Sequence, residues 1–114
     1  MGKVFKVCEE DDWKSIEKER FFLGSKTDRS DGFIHFSTSE QLEETLTKYF
    51  MSKSPLYLLE VKTDDVELVW ETSRNNQFFP HLYGPLPLDM VSQVYRIFID
   101  DEGKHIIPKQ VLNN

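Results

Sequence analysis

The apolar run Val4-Phe5-Lys6-Val7 carries β-branched residues and predicts a first strand. The acidic stretch Glu9 to Asp12 suits a helix start, because carboxylates favour the positive end of the helix dipole. Trp13, Ile16 and Arg20 continue that helix, with Gly24 as its stop, and the Ser-, Asp- and Gly-rich stretch 25–32 reads as a loop. Gly32 to Ser37 predicts a second strand. Two capping-box spacings follow at once, Ser37 with Glu40 and Thr38 with Gln41. Leu42, Leu46, Tyr49 and Phe50 then recur at helical spacing, which makes an amphipathic helix of about three turns.

The nearly continuous apolar run from Leu56 to Val61 fits a central strand. Val66, Leu68 and Trp70 alternate with Glu67, Val69 and Glu71, as in a strand buried on one face, the face of Trp70. Residues 72–88 hold three prolines and no clean period, so they predict a long structured loop. Val94 to Ile99 reads as a strand that turns at Asp100 to Gly103 into a hairpin with His105-Ile106-Ile107. The tail after Pro108 is expected to fray. The pattern as a whole predicts one α+β domain over 1–114, with a curved or split sheet of about five or six strands and two helices.

Composition narrows the function classes. Hydrophobic content of 39% and charged content of 30% exclude a collagen-like or wholly disordered chain. Fourteen basic against twenty acidic side chains give a net charge of −6, which opposes a sequence-independent grip on long nucleic acid. A single cysteine, Cys8, forms no internal disulfide. No run has the length of a secretory or membrane segment, so the expected location is cytoplasmic and no membrane partner is expected. The oligomeric state is left open.

The candidate chemistry sits in two segments. In Asp31-Gly32-Phe33-Ile34-His35-Phe36-Ser37-Thr38, alternation puts Ile34 and Phe36 on one face and Phe33, His35 and Ser37 on the other. The helix starting there aims free N–H groups at the same place, so His35, Ser37 and Thr38 together suit a phosphate or carboxylate. The alternative is a capped helix after a strand whose histidine is half buried. In Phe78-Phe79-Pro80-His81-Leu82-Tyr83-Gly84-Pro85-Leu86-Pro87, prolines and Gly84 stiffen a loop that presents His81 and Tyr83. A proline-rich cover over the sheet is its plain counterpart. Glu71 leaves the preceding strand on the face opposite Trp70 and is placed to orient a histidine. Ser73 and Arg74 follow it, the latter as an anion ligand or as half of a surface ion pair. No P-loop, dinucleotide fingerprint or paired-cysteine metal spacing is present, and no metal site is expected.

These two segments, with Gln41, Leu58-Leu59-Glu60-Val61, Trp70-Glu71 and Ser73-Arg74, resemble the family catalogued as domain of unknown function 952 over nearly the whole chain. The family name carries no established activity. More distantly, the chain is similar to the ADP-ribosyltransferase superfamily, in particular its RNA 2′-phosphotransferase branch, which has a strand histidine followed by a hydroxyl residue like His35-Phe36-Ser37. That branch holds the NAD ribose with an earlier strand residue, where this chain offers Lys6. The resemblance implies a minimal ADP-ribosyltransferase-like core and an enzyme acting on NAD or a small ADP-ribosyl or nucleotide-like ligand. NAD would then be a substrate, with no tightly bound cofactor. On that reading His35, His81 and Glu71 are catalytic, and Ser37, Thr38, Ser73, Arg74, Tyr83 and Gly84 bind the ligand. The rivals are a non-catalytic binding module for a small anionic ligand and a metal-assisted hydrolase.

Overall fold

The computed structural model describes residues 2–73 and 76–113. Along the chain run β1 (Lys3–Glu9), α1 (Glu10–Glu19), β2 (Phe21–Phe22), α2 (Lys26–Asp31), β3 (Ile34–His35) and α3 (Leu42–Tyr49). Then come β4 (Leu56–Lys62), β5 (Leu68–Thr72), β6 (Phe78–Leu82), β7 (Leu86–Pro87), β8 (Val91–Ile97) and α4 (Lys109–Leu112). The architecture is α+β, as the pattern predicts, and its sheet is split. The larger sheets have the strand orders β1-β4-β8 and β3-β6-β5, and β2 pairs with β7.

The apolar run of β4 is explained by its place in the middle of the first sheet, where both of its faces are covered. Tyr57, Leu59 and Val61 pack with Val4 and Cys8 of β1 against Ile16 of α1 and against Ile34, Phe36 and Leu82 from the second sheet. Leu56 and Leu58 face the other way, with Phe5 and Val7, onto Leu42 and Leu46 of α3 and Val111 of α4. The two sheets are tied where Phe5 and Ser37 exchange backbone hydrogen bonds of 2.8 and 2.9 Å. No helix among the described residues is long and apolar enough to cross a membrane.

Several expectations are corrected. Residues 26–31, read as loop, form α2, because Ser25 and Asp28 cap its start reciprocally, a capping box inside a loop-like composition. Helix α1 ends at Arg20 in the left-handed conformation, four residues before Gly24. The long loop contains β6 and β7. Its Pro80 sits at the end of the short β3 pairing: register puts Phe36 opposite it, and Phe36 N–H donates to the Pro80 carbonyl at 3.0 Å. Proline has no N–H to return, so the ladder stops after His35. The hairpin expected after β8 is reduced to one bridge, Ile99 with His105. The end of the chain is helical, anchored by Val111, which is fully buried.

Cys8 is also in this core. Burial pushes its thiol up to about 12, although the Lys6 cation opposes the shift. Only the thiolate is nucleophilic. Iodoacetamide at pH 8 is therefore expected to leave Cys8 of the folded protein unlabelled and to label the urea-unfolded chain, as read by intact mass. Equal labelling of both would contradict this placement.

Candidate functional site

The second sheet builds the site. Its middle strand β6 pairs His81 with His35 of β3 on one side and with Val69 of β5 on the other. Directly opposed residues of antiparallel strands share a face, so the two histidines stand side by side, with ring centroids 5.0 Å apart and planes at 82°. Period-two alternation adds Phe33, Tyr83 and Glu71 to the same face. The opposite face carries Ile34, Leu68 and Leu82 into the core. Trp70, expected inward with Leu68, is instead 44% exposed on the edge strand β5.

Each imidazole is held by a carboxylate. Glu71 Oε1 accepts from His81 Nδ1 at 2.7 Å and from the Tyr83 hydroxyl at 2.7 Å. The His81 hydrogen bond, more than that from Tyr83, holds the Glu71 carboxyl below its usual range. The hydrogen bond to Glu71 in turn holds the Tyr83 phenol above its usual range. An ionised carboxylate only accepts, so the hydrogen of neutral His81 resides on Nδ1 and Nε2 carries a lone pair. His81 is 3% exposed, and its Nε2 has no hydrogen-bond partner among the described residues. His35 Nε2 donates to Asp31 at 2.8 Å, and its backbone N–H donates to Asp28 Oδ1 at 3.3 Å. Phe33 lies against both rings, stacked on His81 at 4.1 Å between centroids and edge-on to His35 at 4.6 Å.

A cleft of about 970 Å³ opens beside His35. Ser37 and Ser73 line it, together with Lys6, Asp28 and Arg29. Lys6 and Asp28 form a buried ion pair of 2.7 Å across the floor between β1 and α2. Cleft and histidine pair meet at His35.

The predicted site residues are therefore divided. His35, His81, Glu71 and Tyr83 come together. Ser37 is buried and shares a 2.9 Å hydrogen bond with Thr45, and the Ser73 backbone N–H donates to the Gln77 carbonyl at 2.9 Å. At Thr38 the N–H donates to Gln41 Oε1 and the hydroxyl accepts from Gln41 N–H, the capping-box arrangement of the capped-helix alternative. Gly84 is exposed at φ +131° and serves the turn after β6. Arg74 lies outside the described residues. Phe33 and Asp31 carry no site signal of their own in the sequence, although alternation places Phe33 on the His35 face. For Asp31 the available signal was its four-residue spacing from His35 across a helix end. Among the described residues no group of three or more His, Cys, Asp or Glu side chains is arranged to hold a metal ion.

The fold has solved relatives. The crystal structure of Protein CC0527 from Caulobacter crescentus is 33% identical, with a TM-score of 0.90 over 96% of this chain and 97% of that one. A solution structure of CC0527 is 36% identical, with a TM-score of 0.81 over 91% of each chain. No curated protein matches the chain. A family profile described as "Protein of unknown function (DUF952)" matches residues 7–94, which include β3, β5, β6 and both site histidines. With its sequence motifs, its site strands and its solved relatives in agreement, the chain belongs to the DUF952 family.

Proposed function

We propose that this protein is an enzyme acting on a small nucleotide-like ligand of the NAD or ADP-ribosyl class, with His81 as general base. One observation carries the reading: a buried imidazole whose Nδ1 lies 2.7 Å from Glu71 Oε1 and whose Nε2 has no partner among the described residues, beside a second histidine that lines a cleft. A carboxylate that orients a histidine in this way sets up proton abstraction by the far nitrogen. Lys26 and Arg29 on the cleft wall could pair with phosphates, although Glu9, Glu10, Asp11, Asp12 and Asp31 on the same wall oppose an anion.

In the proposed step on NAD, the glycosidic C–N bond of the nicotinamide ribose breaks and nicotinamide leaves with the bonding electron pair. A water or acceptor hydroxyl forms the new C–O bond and gives its proton to His81 Nε2. His35, held by Asp31, donates or accepts at the ligand's hydroxyls. The distant ADP-ribosyltransferase similarity of His35-Phe36-Ser37 supports this ligand class.

Incubation of the purified protein with NAD is expected to release nicotinamide, followed by chromatography. His81→Ala is expected to lower the rate by about 10²–10⁴-fold, the usual contribution of a positioned general base. Calorimetric binding of NAD or ADP-ribose with no turnover would instead make the protein a binding module. Neither binding nor turnover would overturn the nucleotide reading.

A further inference from the structure

We propose that Tyr83 is a positioning residue for the base: it holds the Glu71 carboxylate in the orientation that fixes His81, and it is not a ligand contact. The proposal rests on the reading of His81 as the base and adds what keeps that base oriented. His81 Nδ1 and the Tyr83 hydroxyl both lie 2.7 Å from the same oxygen, Glu71 Oε1. Register sets Glu71 opposite Phe79, so its carboxylate reaches diagonally to His81. Tyr83, two residues beyond His81 on the same face, reaches back to meet it. A carboxylate oxygen carries two lone pairs, and the two donors occupy both.

The second donor matters because Glu71 stands on an edge strand with 40% of its side chain exposed, whereas the His81 side chain is 4% exposed. A long carboxylate side chain beside water keeps its rotamer freedom unless its partners outweigh that entropy. Tyr83 is itself braced. Its ring lies 5.2 Å from that of Phe33, which also packs on His35 and His81. The contacts from His81 first and Tyr83 second keep the Glu71 carboxyl below its usual range. A carboxylate that stays ionised orients the imidazole without taking its proton. Among the described residues, the other titratable groups of this face are His35 of β3 and, hydrogen-bonded to it, Asp31 at the end of α2.

Tyr83→Phe keeps the ring and removes the hydroxyl, and at a position 52% exposed it is expected to leave the melting curve cooperative. Two readouts need no substrate. Carboxyl ¹³C titration is expected to place the Glu71 midpoint higher in the variant, and imidazole ¹H–¹⁵N correlation to show His81 sharing its hydrogen between both nitrogens. With NAD, kcat is expected to fall about tenfold at unchanged KM, the worth of one such hydrogen bond, whereas loss of a ligand contact would raise KM. In a Glu71→Gln background the same substitution is expected to change kcat by less than about twofold, because its route to His81 is already lost. An unmoved Glu71 midpoint with an unmixed His81 tautomer would overturn the proposal. So would a rise in KM alone, or the full loss of kcat in both backgrounds. Absence of NAD turnover in the unaltered protein, with both spectroscopic changes present, would instead reject the functional reading and leave Tyr83 as the positioning group.

Discussion

Asp28→Asn is expected to destabilise the fold by about 3–5 kcal/mol in urea unfolding, the usual cost of breaking a buried ion pair from one side. Asp28 is 2% exposed, and three elements meet on its carboxylate. Oδ2 lies 2.7 Å from Lys6 Nζ of β1 and accepts from Ser25 N–H at the start of α2, while Oδ1 accepts from His35 N–H of β3. Asparagine keeps the shape and one acceptor oxygen but leaves the Lys6 cation, its side chain 7% exposed, without its counter-charge. Lys6→Met in the Asp28→Asn background removes that orphaned charge and is expected to recover part of the loss. A cost below about 1 kcal/mol, the range of exposed pairs, would contradict the buried role. Gly24 belongs to the same arrangement: a Cβ there would stand 2.6 Å from Asp28 Cβ at φ +105°, so any side chain pushes on the carboxylate that positions His35.

The second large effect falls on chemistry. Glu71→Gln is expected to lower nicotinamide release by about 10²–10⁴-fold, comparable with other carboxylate–histidine pairs in which the tautomer is lost. Glutamine offers an oxygen or an N–H₂ to His81 Nδ1, so the imidazole is no longer confined to one tautomer. Glu71→Asp, which keeps the charge, is expected to retain more activity than Glu71→Gln. The pH dependence follows from the shift. The Glu71 pKa in the folded protein lies below its value in the unfolded chain, so its contribution to stability is present above the unfolded value and disappears as pH falls through the folded one. Glu71→Gln should flatten the acid limb of the stability profile in that interval. An unchanged rate with an unchanged acid limb would mean that Glu71 is only a surface contact.

Much of this arrangement was legible in the chain, for definable reasons. The unbroken apolar run of β4 reflects burial on both faces, and alternation around His35 assigned Ile34 and Phe36 to the core and the histidine to the site. Glu71 could be placed at a strand end and His81 on a stiff loop after it. Their meeting depends on the register of β5 against β6, which neither strand's own pattern announces. Pro80 concealed β6, because proline argues against a middle strand unless its missing N–H coincides with the end of a ladder, as it does here. The helix α2 was hidden by loop-like composition, although Ser25 and Asp28 had capping spacing. At the helix terminus the spacing of Thr38 and Gln41 is a legible capping box, in which each side chain accepts from the other's backbone N–H.

The central claim is that Glu71 fixes His81 with its hydrogen on Nδ1 and its lone pair on Nε2. Long-range ¹H–¹⁵N correlation of the imidazole side chains reads this directly, at pH 9, above the ordinary histidine range. The account predicts a protonated Nδ1 and an unprotonated Nε2 for His81, with the Nδ1 proton shifted downfield by its carboxylate. A His81 protonated on Nε2, or one exchanging freely between the two tautomers, would contradict it.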